Sequence, residues 1–284
     1  MTSRLAAGLG STVDSDQDGV VVTGARSFRG TVTAIDPVMG DSVLVSMTAP
    51  PAMVRQLRSG RFFEILCRLD RFYDPLLRRP YSVFTANPEA GILTFLVRPY
   101  GRGSIWLAAR AVGDQVDVLG PLGNTYDIAP KSSNVLMVAG GVGVAPLVML
   151  AEEAVATGRH VAFLMGADDV AGLLSPAYLP QSVEYVVATE NGSRGHLGFI
   201  TDLVPEYVAW SDQIFACGPE PMYRSLRATL AAAGAQPRLP IQISMEQNMA
   251  CGLGACLGCV VETRRGMRTS CVEGPVFDLE DVVW

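Results

Sequence analysis

The rhythm of the chain changes once, at Ala129-Pro130, and that change limits the folds open to it. From about Gly19 to Asp127 short β-rich runs follow one another: VVVTGA, RGTVTAID, DSVLVSMTA, RFFEILCRL, YSVFTAN, GILTFLVRPY and DQVDVLGP. Gly, Pro, Asp and Asn turn signals separate them, and so many short strands without helical stretches predict a closed antiparallel barrel. After Ala129-Pro130, apolar strand runs alternate with helical patterns: NVLMVAG, APLVMLAEEAVATG, HVAFLMGA, VEYVVATE, DQIFACG, MYRSLRATLAAAG. That alternation predicts a parallel sheet with crossover helices. A third segment begins near Pro240 and holds most of the cysteines. The expected division is therefore a loose lead-in over 1–19, a barrel over 20–129, an α/β domain over 130–240 and a cysteine segment over 241–284.

Composition excludes several function classes. A net charge of −6 with no run of basic residues leaves no footprint for nucleic acid or an anionic membrane. The longest apolar run, Val135 to Ala151, is broken by three glycines and a proline, so it reads as strand, loop and helix rather than a membrane span. The N-terminus lacks an apolar stretch of signal-peptide length, so a cytoplasmic, reducing location is expected, where closely spaced cysteines favour a metal site over disulfides.

Four of the six cysteines, Cys251, Cys256, Cys259 and Cys271, follow C-x4-C-x2-C with a fourth downstream. This is the plant-type [2Fe-2S] pattern, in which four thiolates hold two irons bridged by sulfide. Gly252, Gly254 and Gly258 suit a loop that wraps a cluster and brings N–H groups to sulfur. Zinc is the main competitor, although it more often shows two C-x2-C pairs or includes histidine. Of the other two cysteines, Cys67 reads as a core residue.

GGVGVAP, from Gly140 to Pro146, follows an apolar strand and opens a helix, where a pyrophosphate meets exposed N–H groups. It is not G-x-G-x-x-G, and a tight turn needing small residues would look the same. Asp168 and Asp169 end the second strand, where an acid can accept from a ribose diol; this favours NAD over NADP, while a solvated turn is the bland reading. CGPEPM, Cys217 to Met222, is another loop at the carboxyl edge of the sheet. In the barrel, RRPYSVF and LVRPYGRGS offer arginine forks, an aromatic ring and hydroxyls to a phosphorylated flat cofactor. The glycines flanking Arg102 would let backbone amides approach a diphosphate; a β-edge and a hairpin turn are the plainer readings. His160 and His196 lie in no spacing that builds a hydrolytic triad and read as structural or solvated.

Together these motifs resemble the ferredoxin–NADP reductase superfamily: RPYS and GRGS in a flavin barrel, then GGVGVAP and CGPEPM in a nicotinamide domain. More closely, NMACGLGACLGCVV and the EGPVF after Cys271 resemble the electron-transfer subunits of heteromeric NAD-linked dihydroorotate dehydrogenases. The resemblance implies an antiparallel Greek-key FAD barrel, a Rossmann-like NAD domain and a small C-terminal [2Fe-2S] segment. It implies FAD contacts at Arg79, Pro80, Tyr81, Ser82, Leu96, Val97, Arg98, Gly103 and Ser104. Gly140, Gly141, Gly143, Ala145 and Pro146 would hold the dinucleotide phosphates, with Asp168, Thr189, Glu190, Cys217 and Gly218 near the same ligand. The GADDVAGLL stretch departs from a more usual basic turn and leaves NAD against NADP open. The family's partner is an FMN-containing catalytic subunit, in a heterotetramer of two plus two subunits, which oxidises dihydroorotate in pyrimidine biosynthesis; nothing in this chain supplies a base for that oxidation. Related subunits of a hydrogenase, a sulfide reductase or a ferredoxin:NADP oxidoreductase share the three modules. A zinc-stabilised NAD-binding regulator is the alternative from another class.

Overall fold

The computed structural model describes residues 25–69, 71–234 and 239–284. VVVTGA, expected as the first strand, lies almost wholly outside them; the first described strand is β1, Arg26–Met39. It is followed by β2 (Ser42–Thr48), β3 (Phe62–Leu66), β4 (Arg79–Asn87), β5 (Ile92–Val97) and β6 (Gln115–Leu122). These six strands close into an antiparallel barrel in the order β1-β2-β5-β4-β3-β6. Alternation along each strand sends one face inward, so Val45, Ile65, Val97 and Val118 are completely buried. Phe63 meets both Phe28 and Phe95 edge to face at the centre. Gly120 makes room for that ring, because a Cβ there would come within 2.3 Å of Phe63. Two short helices, α1 (Pro51–Val54) and α2 (Arg102–Ala108), interrupt the strands where the sequence shows no helical period. GRGS thus opens a helix rather than a hairpin turn.

The second unit is a seven-stranded sheet in the order β10-β9-β8-β7-β11-β12-β15. Its strands are β7 (Asn134–Gly140), β8 (His160–Ala167), β9 (Glu184–Thr189), β10 (His196–Leu197), β11 (Gln213–Cys217), β12 (Ile241–Ser244) and β15 (Val276–Asp278). All neighbours pair in parallel except β12 and β15. Both faces are covered, which is why β7 reads as a continuous apolar run. Helix α3 (Ala145–Ala156) packs on one face, in an apolar cluster that also takes in Met39, Leu44, Phe84 and Leu96 of the barrel. Helices α4 (Val204–Val208) and α5 (Glu220–Ala232) cover the other face. The apolar run from Val135 is strand, turn and helix, as its glycines predict, and no helix among the described residues is long and apolar enough to cross a membrane.

The cysteine segment is tied into this sheet at both ends. β12 leads into it and β15 leads out, and between them lie the cysteine loop and a hairpin of β13 (Val260–Thr263) and β14 (Gly266–Thr269).

Candidate redox site

One cleft of about 770 Å³ opens between the barrel, the start of α3 and the segment after β12. Arg79, Pro80, Tyr81 and Ser82 of β4 form one wall. Leu96 and Arg98 come from the end of β5, Gly103 and Ser104 from the first turn of α2. Val97 lies between Leu96 and Arg98 on a strand, so its side chain faces the opposite way and is buried in the barrel. Ala145 and Pro146 close the cleft from the α/β side.

The side chains on these walls are held by their neighbours. Nη1 of Arg79 donates to the carbonyls of Leu77 (2.7 Å) and Arg78 (3.1 Å). Gly103 is what leaves space for that arginine, since a Cβ there would come within 3.1 Å of its Cγ and Nε. The Ser104 hydroxyl accepts from the N–H groups of Tyr100 (3.1 Å) and Gly101 (3.0 Å), which closes the start of α2. Arg78 also lines the cleft, but its guanidinium pairs with Asp117 at 2.7 Å. Burial, and then the neighbouring Cys67, push the Tyr81 phenol up, so it stays a neutral donor. Cys67 itself is fully buried, as expected of a core residue, with its thiol pushed up to about 12 mainly by burial.

The glycine loop has a different logic from the one its sequence suggests. A Cβ on Gly143 would lie 2.3 Å from the Cys217 carbonyl oxygen, one on Gly140 2.9 Å from Met222 Sδ, and one on Gly218 2.6 Å from Met222 Cε. These three glycines let the β7 and β11 loops pack backbone to backbone at the carboxyl edge of the sheet. Gly141, at φ +53°, is the one facing open space, where a ligand can approach its amide. Cys217 is buried beneath this edge, and burial holds its thiol well above the ordinary range.

Asp168, Thr189 and Glu190 meet at the same edge, further along. The N–H groups of Glu190 and Asn191 donate to the carbonyls of Ala167 (3.1 Å) and Asp168 (3.2 Å), zipping the β8 and β9 loops together. Asp168 and Glu190 are exposed, whereas Thr189 is buried and its hydroxyl bridges the N–H and C=O of Arg194. Asp169, also exposed, caps the next turn, accepting from the N–H groups of Ala171 (2.9 Å) and Gly172 (3.2 Å). His160 starts β8 and His196 sits 3.4 Å from Asp202.

All four clustered cysteines are free thiols, graded in exposure: Cys259 and Cys271 buried, Cys251 intermediate, Cys256 exposed. Each sulfur receives a backbone N–H: Leu253 on Cys251 (3.4 Å), Gly258 on Cys256 (3.4 Å), Cys271 on Cys259 (3.4 Å) and Gly254 on Cys271 (3.2 Å). Gly252 and Gly254 take positive φ to turn those amides inward. Burial alone would raise the Cys251 thiol, but amides of Leu253, Cys256 and Ala255 outweigh it and bring it down to about 7. Burial and the adjoining Cys259 instead push Cys271 up to about 12. Among the described residues no three His, Cys, Asp or Glu side chains converge to hold a single ion. A zinc ion would require such convergence, whereas a two-iron centre divides four thiolates between two metals, so the donor set and its N–H shell fit the cluster better.

Several cleft residues carry no motif. Phe62 and Met249 line the cleft and also pack, with Leu122, against Cys259 and Cys271 in one buried apolar group. The cleft wall and the two inner thiols therefore belong to one buried apolar group. Met245, Glu246 and Pro275 line the cleft from the cysteine segment. Glu246 lines the open cleft with its side chain exposed, and partial desolvation there raises its carboxyl. The proximity of Met249 to Cys251 in sequence is the one signal that would have found any of these.

A closed flavin-type barrel, a parallel nucleotide-type sheet and a four-cysteine loop are the parts of an electron-transferring reductase. Residues 246–283 match the family described as the iron-sulfur cluster binding domain of dihydroorotate dehydrogenase B. The chain is 33% identical over 267 residues to the dihydroorotate dehydrogenase B (NAD(+)) electron transfer subunit of Desulforamulus reducens, covering 92% of this chain and 99% of that protein. It is 37% identical over 230 residues to the same subunit of Shouchella clausii, covering 79% and 86%. Among solved structures it is similar to an NADH-dependent reduced ferredoxin-NADP oxidoreductase studied for flavin-based electron bifurcation, at 27% identity and TM-score 0.77 over 90% of each chain. The chain belongs to the family of electron transfer subunits of NAD-linked dihydroorotate dehydrogenase B.

Proposed function

We propose that this chain carries electrons between a dihydroorotate-oxidising FMN subunit and NAD⁺, with FAD held in the cleft and a [2Fe-2S] cluster held by Cys251, Cys256, Cys259 and Cys271. The observation that carries the reading is the apolar layer of Phe62 and Met249, which lines the cleft and belongs to the same buried group as the inner thiols Cys259 and Cys271. FAD supplies exchange between a two-electron hydride and single electrons, which the cluster carries one at a time.

The residues have separate tasks. Arg79 and Arg98 face the cleft as cations for a diphosphate, and Tyr81 and Ser82 offer a ring and a hydroxyl to a flat ring system. The Gly141 amide and the start of α3 receive the dinucleotide phosphates, with Ala145 and Pro146 at the boundary with the flavin. Asp168, with Thr189 and Glu190 beside it, faces the ribose end, where an acid selects NAD over NADP. The neutral Cys217 and Gly218 close the nicotinamide end, and the Phe62–Met249 layer keeps water out of the path between cleft and cluster. The exposed Cys256 side faces the partner, in a two-plus-two assembly in the cytoplasm.

The test is dihydroorotate-driven NAD⁺ reduction by the chain co-purified with its FMN partner. Cys256→Ser and Cys259→Ser abolish it while NADH-to-dye activity through the flavin persists; activity that survives either change sinks the relay. Co-purification with a hydrogenase or a multi-cluster flavoprotein instead of an FMN barrel protein moves the chain to the reading suggested by the bifurcating oxidoreductase it resembles.

A further inference from the structure

Two redox groups carried by different parts of one chain exchange single electrons at a useful rate only if something fixes the gap between them. We infer that Asn124 is that device: a positioning residue on the barrel that locks the cysteine segment at a set distance from the cleft. The inference rests on the relay reading above.

Asn124 follows β6, directly after the barrel closes. Its side-chain amide pairs with both backbone groups of Val276, donating to the carbonyl (2.8 Å) and accepting from the N–H (2.9 Å). The same Nδ2 donates to the Glu273 carbonyl (3.0 Å), and the Asn124 N–H donates to the Gly274 carbonyl (2.6 Å). Four hydrogen bonds thus join one barrel residue to 273–276, across about 150 positions of sequence. The segment so held begins two residues after Cys271, and its Pro275 is part of the cleft wall. Gly123, beside Asn124, is crowded from the same side: a Cβ there would lie 2.5 Å from Pro275 Cδ and 2.9 Å from the Gly274 carbonyl oxygen. The pattern requires one side chain that donates and accepts at the same reach. Asparagine does both; aspartate keeps the acceptor but sets a second oxygen against two carbonyls.

The test uses the full chain with its flavin and cluster, as wild type, Asn124→Asp and Asn124→Ala. NADH is the two-electron donor; flavin bleaching and the electron-paramagnetic signal of the reduced cluster are followed separately in rapid mixing. Flavin reduction should be unchanged, one-electron transfer on to the cluster slowed by about tenfold or more, and amide exchange over 273–276 accelerated. Cluster reduction at the wild-type rate despite faster exchange overturns the inference, and so does equal slowing of both steps. Loss of the cluster from both variants overturns it as well, since Asn124 would then be a folding element rather than a spacer. A wild-type protein whose cluster NADH never reduces refutes the relay itself.

Discussion

Glu64 is the residue whose chemistry is least expected from its neighbours in sequence. It lies on the face of β3 opposite the inward-pointing Phe63 and Ile65, yet it is fully buried, and neither carboxyl oxygen has a hydrogen-bond partner. Its Cγ packs where a Cβ on Gly252 would lie, directly under the cysteine loop. Desolvation, opposed by Arg78 and reinforced by Cys251, pushes the carboxyl up to about 7. The folded state therefore keeps a proton that the unfolded chain releases near its ordinary value. Because the folded form binds more protons in that window, stability falls as pH rises from about 4.5 to 7, by about 3 kcal/mol in all, and is flat with respect to this group above it. Thermal melts should show Glu64→Gln gaining on wild type between pH 5 and pH 8; a difference that does not change with pH contradicts the assignment. Alternation in RFFEILCRL puts Glu64 on the face opposite Phe63 and Ile65, away from the barrel interior; that the cysteine loop covers this face and leaves the carboxyl without a partner is a property of packing alone.

At the scale of elements, the link between the loop after β11 and the cysteine segment is made by helix α5. Tyr223, one turn into it and 1% exposed, accepts from the Gly218 N–H at 3.0 Å and donates to the Ser244 carbonyl at 2.5 Å. One hydroxyl thus joins the end of β11 to the end of β12. Tyr223→Phe leaves a buried N–H and a buried carbonyl unpaired, which costs about 1–3 kcal/mol. Denaturant unfolding should show that loss together with a raised KM for NADH, and neither a stability change nor a KM change would be compatible with the bridge. The larger elements were readable beforehand: six barrel runs appear as strands and the α/β alternation appears as a parallel sheet. β12 escaped because IQIS is only four residues long and follows a proline, too short for a period of two to register. Helix α2 escaped because its start is two glycines around an arginine, and its stability comes from the Ser104 hydroxyl and from packing on the barrel.

At the scale of the whole molecule, the cysteine segment is an excursion between two strands of the α/β sheet rather than a separately anchored tail. β12 and β15 pair with each other, and Met245 N–H donates to the Pro275 carbonyl at 2.8 Å. Removal of iron by a chelator under reducing conditions should therefore loosen the loop while leaving the sheet and the flavin barrel folded. Far-ultraviolet circular dichroism and NADH-to-dye activity should be retained and dihydroorotate-driven NAD⁺ reduction lost; collapse of both activities together would mean that the cluster holds the sheet. The sequence by itself determined the class of each module and the four thiols, because periodicity, turn chemistry and ligand spacing are local properties of the chain. Only the tertiary structure decided that three glycines of the nucleotide edge serve loop-to-loop packing, that Val97 turns away from the cleft, and that Phe62, Met249 and Asn124 join cleft to cluster. Those contacts lie between residues as much as 150 or more positions apart, and no local pattern records which of them will meet.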